Sequence, residues 1–375
     1  MRILILTPRL PWPPTDGGRV AMSRLAGSLA ACGAEVEILS LNPRKHRGVA
    51  AGPLPVEAID IDTSRLAIPS MRVPYVVARF VSRRYREALV AALRRFEPDV
   101  VQIESPFMLP YAEEVRGAKV VLRSHNVEFR IWEGLARNER NPLRRLALRR
   151  VASSLRAYEL RAMSEVDAIV PISEDDARDF RELGCTRPMH VVPCGVFVGQ
   201  RTADSGQRNT VGFIGSLDFL PNQEAVQWII GELWPRVIAR APDARLSIAG
   251  SSPPEWLRRT SIDLRGDIPD AQAFMREMAV IIAPLFSGGG MRIKVLEAMA
   301  LAKPIVATTL GAGGIEHDGD VLIADDAESF AAAVVRLLGD PAEAARLGAN
   351  ARANVARRYD SDTLARGLLT FYETL

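Results

Sequence analysis

The sequence lacks the features that define several classes of protein. It has three cysteines in 375 residues, and their spacing fits neither a disulfide framework nor a zinc or redox motif. No apolar run approaches the roughly 18–20 residues that cross a bilayer. The apolar start at residues 2–7 is too short for a signal-peptide core. We therefore expect a globular protein of the reducing cytoplasm, neither disulfide-stapled nor membrane-spanning.

The chain is long enough for two domains, each with its own core. The net charge is only +3, but it is unevenly spread. Residues 1–200 carry 30 Lys and Arg against 23 Asp and Glu, whereas residues 201–375 carry 18 against 22. A basic half beside an acidic half predicts an anionic partner for the first half, and we expect no nucleic-acid partner.

Short apolar runs alternate with helical patterns along the chain, which predicts parallel sheets covered by helices on both faces. Polar residues 198–209 are interpreted as a linker between domains at 1–197 and 210–359. Strands are predicted at 2–7, 35–41, 56–61, 99–103, 119–123, 168–173, 210–216, 245–250, 263–268, 279–286, 304–309 and 320–323. Helices are predicted at 19–32, 75–96, 141–163, 222–240, 270–278, from about 291, and at 327–338, 341–358 and 362–373.

The stretch at residues 287–300 carries the clearest chemical signal. Three glycines at 288–290 follow an apolar strand and precede a helix, so bare amides and the positive end of the helix dipole would face a ligand. Arg292 and Lys294 add cations where a helix itself would favour acids, which suggests a bound anion. Glu297 lies on the same face as Lys294. The set suits a phosphate with a polyhydroxylated neighbour.

Two loops in the first half carry further candidates. Gly17 and Gly18 follow the first strand and suit close approach of a ligand, although the dinucleotide G-x-G-x-x-G pattern is absent. His125 and Asn126 follow the strand at 119–123, where ligands of open parallel sheets bind. A plain turn and a loop histidine bonded to backbone are the alternative interpretations.

Residues 141–163 form a basic amphipathic pattern that could rest on anionic lipid headgroups. A solvated basic face over an ordinary core stripe is the simpler interpretation of the same pattern.

Taken in order, these motifs resemble family-4 retaining glycosyltransferases over nearly the whole chain. The likeness is strong from residue 210 to 324 and weaker before 198. The motifs of the second half are FIGSL (213–217), LSIAG (246–250), LRGDIPD (264–270), residues 288–300 and KPIVAT (303–308). Those of the first half are the glycines at 17–18, SHN (124–126) and VPCGV (192–196).

The resemblance implies an α/β protein with two Rossmann-like domains facing across a cleft, the GT-B fold. The C-terminal domain would bind a nucleoside diphosphate sugar and the N-terminal domain a glycan or lipid-linked acceptor, with a final helix at 360–375 packing back on the latter. Glu297 matches the family's ribose-binding glutamate, and Thr308 would lie near the nucleotide. The implied donor-binding residues are Gly215, Ser216, Gly288, Gly289, Gly290, Met291, Glu297 and Thr308. The implied catalytic residues are His125, Arg292 and Lys294, and the acceptor or phosphate loops contribute Gly17, Gly18 and Asn126.

The implied reaction is transfer of a sugar with retention of configuration. The basic residues of the first half suggest exopolysaccharide or cell-envelope glycan synthesis, in the cytoplasm and with a peripheral contact at the inner face of the membrane as one option. We expect neither a metal nor another cofactor, because Arg292, Lys294 and the helix dipole would stabilise the leaving diphosphate. Two positions depart from the family pattern. Gly289 replaces a second glutamate, and the loop from Ser216 lacks the usual cations. A nucleotide-sugar epimerase, with His125 and Glu128 as acid and base, and a non-catalytic nucleotide-sugar-binding subunit remain alternatives.

Overall fold

The chain forms two compact units, one of Met1–Gly195 with Ser361–Leu375 and one of Val196–Asp360. They are seen in a computed structural model. The structure describes residues 1–14, 16–44, 47–49, 51–63, 73–139, 141–199, 208–258, 262–268, 270–287 and 291–375. Most of the predicted linker, residues 200–207, lies outside them.

Each unit is built on a six-stranded sheet in which every described strand pair is parallel. The strands of the first unit are β1 Arg2–Thr7, β2 Glu35–Pro43, β3 Val56–Ile61, β4 Val100–Ile103, β5 Lys119–Ser124 and β6 Ala168–Pro171. Those of the second are β7 Thr210–Ile214, β8 Arg245–Gly250, β9 Asp263–Gly266, β10 Val280–Ala283, β11 Ile305–Ala307 and β12 Leu322–Ile323.

Helices connect the strands and cover the sheets. They are α1 Gly17–Ala31, α2 Tyr75–Ala78, α3 Arg83–Phe96, α4 Glu128–Asn138, α5 Pro142–Glu165, α6 Glu174–Glu182, α7 Leu220–Trp228, α8 Trp234–Arg240, α9 Glu255–Arg258, α10 Ala271–Glu277, α11 Ile293–Ala300, α12 Ala327–Gly339, α13 Pro341–Arg358 and α14 Ser361–Glu373. A 3₁₀ helix spans Pro106–Glu114, and a π-helical turn at Ile229–Leu233 joins α7 to α8.

The core of the first unit lies on both faces of its sheet, as continuous apolar strands require. In β1, Leu4 and Leu6 pack into one apolar cluster, while Ile3 and Ile5 pack into another on the opposite face. All four side chains are at most 2% exposed. The second cluster includes residues of α14, so the C-terminal helix belongs to the core of the first unit.

Both sheets have a topological switch point, the place where the strand order reverses. The order is β3-β2-β1-β4-β5-β6 in the first unit and β12-β11-β10-β7-β8-β9 in the second. The reversals therefore lie between β1 and β4 and between β7 and β10. Ligands of open parallel sheets bind beyond the carboxyl ends of strands at such points.

The helices depart from the sequence predictions at several boundaries. The predicted helix at 75–96 is two helices, because Ser82 caps α3 by accepting a hydrogen bond from the amide of Tyr85. α1 starts at Gly17, where Asp16 caps it. α11 starts at Ile293, two residues later than predicted. α4 and the 3₁₀ helix were not predicted.

Candidate active site

Two glycines lie close together at the ends of β7 and β8. A Cβ on Gly250 would lie 1.7 Å from the carbonyl oxygen of Gly215, so position 250 requires glycine, whereas a Cβ on Gly215 would lie 2.7 Å from the side-chain amide nitrogen of Asn222. The predicted donor residue Ser216 follows and is exposed. Its Oγ donates to Asp218 at 2.7 Å, and its carbonyl accepts from Asn222 at 2.8 Å. The loop is therefore fixed by its own hydrogen bonds.

The start of α11 lies beyond the end of β10, across the switch point from Gly215. Gly288, Gly289 and Gly290 lie outside the described residues. The first turn of α11 contains no acidic side chain. Arg292 is the N-terminal flanking residue, and its Nε donates to the carbonyl of Leu310 at 3.3 Å. The loop after β11 also approaches Met291, because a Cβ on Gly314 would lie 3.2 Å from its Cα.

Lys294 and Glu297 form an ion pair on α11. The Lys294 Nζ lies 3.1 Å from the Glu297 Oε2, and the side chains are 44% and 5% exposed, respectively. The pair keeps a carboxylate and a partly accessible ammonium together one turn into the helix. A bound diphosphate would compete with Glu297 for Lys294.

The hydroxyl of Thr308 fixes the loop that follows β11. It donates to the Leu285 carbonyl at 2.6 Å and accepts from the Gly311 amide at 2.9 Å. These bonds occupy its proton, so Thr308 fixes the shape of the loop. The neighbouring motif residue Lys303 is also structural, since its buried ammonium donates to carbonyls of Arg276 and Met278 at 2.7 and 2.9 Å.

The first unit holds a cavity of about 490 Å³ at the carboxyl ends of β1, β4 and β5. Four residues named from the sequence line it, namely Gly18, His125, Asn126 and Glu128, whereas Gly17 is not among its lining residues. A Cβ on Gly18 would lie 2.5 Å from the Arg9 guanidinium, which pairs with Asp16 at 2.8 Å. Gly18 therefore makes room for a cation at the cavity rim.

His125 contacts two buried charged residues, Glu104, which lines the cavity, and Arg123. Its Nε2 lies 2.7 Å from Glu104 Oε2 and 3.2 Å from Arg123 Nη1, and Arg123 Nη1 donates to the same Glu104 oxygen at 3.0 Å. The side chains of Glu104 and Arg123 are each 1% exposed. Burial and the Arg123 guanidinium lower the pKa of His125, and the Glu104 carboxylate only partly offsets them.

The protonation of Glu104 determines the form of the imidazole. Burial alone would raise the pKa of Glu104, but the Arg123 guanidinium and the hydrogen bonds from His125 and Gln102 lower it to about 2. An ionised carboxylate only accepts hydrogen bonds, so Nε2 of His125 carries the proton. The neutral ring then keeps a lone pair on Nδ1.

A second carboxyl group lines the cavity at the start of α4. Burial raises the pKa of Glu128 to about 7. Glu159 lies behind it and accepts hydrogen bonds from the amides of Glu128 and Phe129 at 3.1 and 2.9 Å. Glu159 thus replaces the side-chain cap that Val127 cannot provide.

The sequence predictions missed Glu104 and Arg123. The register pairs Ile103 with Leu122, so the next residues, Glu104 and Arg123, are neighbours across β4 and β5. A charged residue ending each of two apolar strands was the available signal. In the described part of the chain, no group of three His, Cys, Asp or Glu side chains is arranged to hold a metal ion. No described helix is long and apolar enough to cross a bilayer.

Known structures share this fold. Sucrose-phosphate synthase from Thermosynechococcus elongatus is similar with a TM-score of 0.73 over 100% of this chain and 99% of that one, at 16% sequence identity. The two parallel sheets and this likeness show the GT-B fold.

Several curated relatives are mannosyltransferases. The phosphatidyl-myo-inositol mannosyltransferase of Mycolicibacterium smegmatis is 33% identical over 44% of this chain and 45% of its own length. The GDP-mannose-dependent monoacylated alpha-(1-6)-phosphatidylinositol monomannoside mannosyltransferase of Corynebacterium glutamicum is 24% identical over 80% of this chain and 91% of its length. The chain spans less than two thirds of the length of several relatives that it matches.

Two family models match successive parts of the chain. The model described as Glycosyltransferase Family 4 matches residues 15–199, and the model described as Glycosyl transferases group 1 matches residues 208–340. Together they account for most of the sequence, and the chain belongs to this family of glycosyltransferases.

Proposed function

We propose that the protein transfers a hexose from a nucleoside diphosphate sugar to a hydroxyl group of a glycan or lipid-linked acceptor, with retention of anomeric configuration. The observation that carries the proposal is the start of α11. There a helix N-terminus with Arg292 and Lys294, and with no acid in its first turn, lies at the switch point of the second sheet.

The donor in this proposal is GDP-mannose, with UDP-sugars as the alternatives to test. The Corynebacterium relative is described as GDP-mannose-dependent, which supports mannose as the first candidate. The second unit would bind the nucleotide, with Glu297 at the ribose and Gly215, Ser216, residues 288–290, Met291 and Thr308 around the diphosphate and sugar.

The chemical demand is departure of a diphosphate while positive charge develops on the sugar. Preorganised cations and helix dipoles stabilise such a leaving group without needing to reorganise. Arg292 and Lys294 would supply this charge, so the proposal includes metal independence. The leaving phosphate would accept the proton of the acceptor hydroxyl, and His125 would contact the reacting sugars.

The acceptor in this proposal binds in the cavity of the first unit. Phe80 and Phe107 line that cavity, and their rings stack at 5.2 Å with an interplanar angle of 7°. Aromatic rings of this kind offer an apolar surface to the face of a sugar ring. Glu128, with its pKa near 7, and Asn126 would hydrogen-bond hydroxyl groups.

We also propose that the hairpin of α4 and α5 rests on an anionic membrane surface, which would suit synthesis of an envelope glycan or exopolysaccharide. Leu143 is 77% exposed and Leu146 is 50% exposed at the start of α5, and Leu135 is 51% exposed on α4. Arginines occur along both helices of the hairpin. Exposed leucines among arginines match the composition of helices that lie in the headgroup region. The exposed arginines of the hairpin are Arg130, Arg137, Arg144, Arg149, Arg150, Arg156 and Arg161.

The deciding experiment incubates the protein with each nucleotide sugar, with and without a glycolipid or oligosaccharide acceptor pool, and with a chelator in a parallel series. We expect acceptor-dependent release of GDP or UDP, an α-linked product by NMR from an α-linked donor, and no loss with the chelator. Epimerised donor without acceptor would instead indicate an isomerase. Binding of donor without transfer to any acceptor would indicate a binding subunit.

A further inference from the structure

Gln102 is a polar residue inside an otherwise apolar strand. It lies in β4 between Val101 and Ile103, and its side chain is fully buried. A buried amide is costly unless both its donor and its acceptor are satisfied. Its Oε1 accepts from the hydroxyl of Tyr372 at 2.6 Å, and its Nε2 donates to Glu104 Oε1.

The chemistry of its neighbours determines the orientation of this amide. Glu104 is ionised and offers no proton, so it must face the NH₂ group of Gln102. The amide oxygen then points the other way and needs a donor. Tyr372 provides it from α14, where the side chain is 3% exposed and burial raises the pKa of the phenol, so that the proton is retained.

The carboxylate of Glu104 is thereby held at both ends. Gln102 donates to Oε1, while Arg123 and His125 contact Oε2 at 3.0 and 2.7 Å. Fixing Oε1 sets the plane of the carboxylate, and that plane determines where Oε2 meets the imidazole. The chain of contacts runs from the C-terminal helix through β4 to the cavity.

We propose that Tyr372 and Gln102 are positioning residues that act in series on Glu104 and fix the tautomer and orientation of His125. This inference rests on the proposed function only in giving His125 a role at the reacting sugars. The contacts themselves are independent of any substrate.

The charged groups that face His125 set the direction of the expected change. They are Glu104 behind it, Arg123 beside it, and Arg9 at the cavity rim, with Glu128 lining the same cavity. Removing the Tyr372 hydroxyl leaves the Gln102 oxygen without its donor, so the amide turns away and Glu104 loses a hydrogen bond. A less solvated carboxylate stabilises the imidazolium more strongly. The pKa of His125 should therefore rise.

The test is an NMR titration of the histidine side chains in the full-length protein, with a His125→Gln spectrum to assign the resonance. In Tyr372→Phe we expect the pKa of His125 to rise by about half a unit or more, a roughly threefold change in its protonation ratio. The ¹⁵N shifts should also show loss of the pure Nε2–H tautomer. Tyr85→Phe is the matched control, because its buried hydroxyl donates to the Leu39 carbonyl at 2.7 Å in the same unit.

A double-mutant cycle shows whether the two residues act in series. Gln102→Leu should raise the pKa of His125 as Tyr372→Phe does, and adding Tyr372→Phe to Gln102→Leu should raise it no further. A His125 pKa and tautomer in Tyr372→Phe equal to those of Tyr85→Phe would overturn the proposal, and so would additive shifts. If Gln102→Leu does not fold, the Tyr372→Phe and Tyr85→Phe comparison decides alone. Because the titration needs no substrate, failure to find transfer activity would refute the transferase and leave this result standing.

Discussion

Replacement of Lys294 by alanine tests the proposed chemistry most directly, because it removes one of two cations at the start of α11. Loss of a charge-assisted contact to a leaving phosphate should raise the activation free energy by about 2–4 kcal/mol. This corresponds to a fall in kcat/KM of about 30- to 1,000-fold. The fall should appear mainly in kcat, because the charge on the phosphate grows towards the transition state.

The same substitution also breaks the 3.1 Å contact to Glu297, and that effect must be separated. Lys294 is 44% exposed, so solvent screens the pair, and its loss should lower the free energy of unfolding by about 1 kcal/mol. Denaturant unfolding measures this term. Glu297→Ala should mainly weaken the binding of GDP or UDP, which calorimetry measures.

Two comparisons make the result decisive. Lys119→Ala removes an exposed lysine from the start of β5 and should leave kcat/KM unchanged. Lys294→Ala/Glu297→Ala should lose more activity than Glu297→Ala alone, because Lys294 acts on the phosphate itself. A folded Lys294→Ala protein with kcat/KM within about threefold of the wild type would refute the assignment, and equal activities of Glu297→Ala and the double variant would show that Lys294 acts only through Glu297.

Three further predictions concern the first unit. Because the pKa of Glu104 lies near 2 rather than 4.5, its contribution to stability is present above pH 4.5 and is lost as the pH falls towards 2. The free energy of unfolding should drop by about 3 kcal/mol from this group over that range. Glu104→Gln should already be about 3–5 kcal/mol less stable than the wild type at pH 7, and its stability should depend less on acid pH. The pKa of Glu128 is raised to about 7, so its stabilising effect is complete below pH 4.5 and is lost as the pH rises through 7. In Glu128→Gln, the free energy of unfolding should therefore change less with pH across this window. Leu143→Ser with Leu146→Ser should reduce sedimentation with anionic vesicles at least several-fold without changing transfer to a soluble acceptor, and unchanged sedimentation would contradict the proposed membrane surface.

The sheets could be predicted from the sequence because parallel strands buried on both faces are continuous apolar runs, as β1 and β10 are. Helix α4 could not. It starts at Glu128 after a valine that cannot cap it, and its cap comes from Glu159, 31 residues further along the chain. A cap supplied by tertiary structure leaves no local pattern.

The residues of the candidate site also fall into those that local sequence predicts and those that only tertiary structure brings together. His125 was predicted from its place after a strand, which needs only the order of elements. Its partners Glu104 and Arg123 depend on the register of β4 against β5, which the chain order does not specify. Gln102 and Tyr372 are further still from any local signal, because they lie 270 residues apart and meet only when α14 packs into the first unit.

The charge of the first half also takes on a different meaning once its arginines are located. Arg123 is neutralised by Glu104, and Arg9 is paired with Asp16, so the cavity does not hold the excess positive charge.

That excess lies on the surface. Among the described residues, Arg144, Arg149 and Arg150 of α5 are exposed, and no carboxylate pairs with them. An acceptor in the cavity would therefore be recognised by its hydroxyl groups and its apolar face. The anionic partner predicted from composition would instead meet the tip of the α4–α5 hairpin, where a lipid surface carries both the charge and the apolar layer that the exposed leucines require.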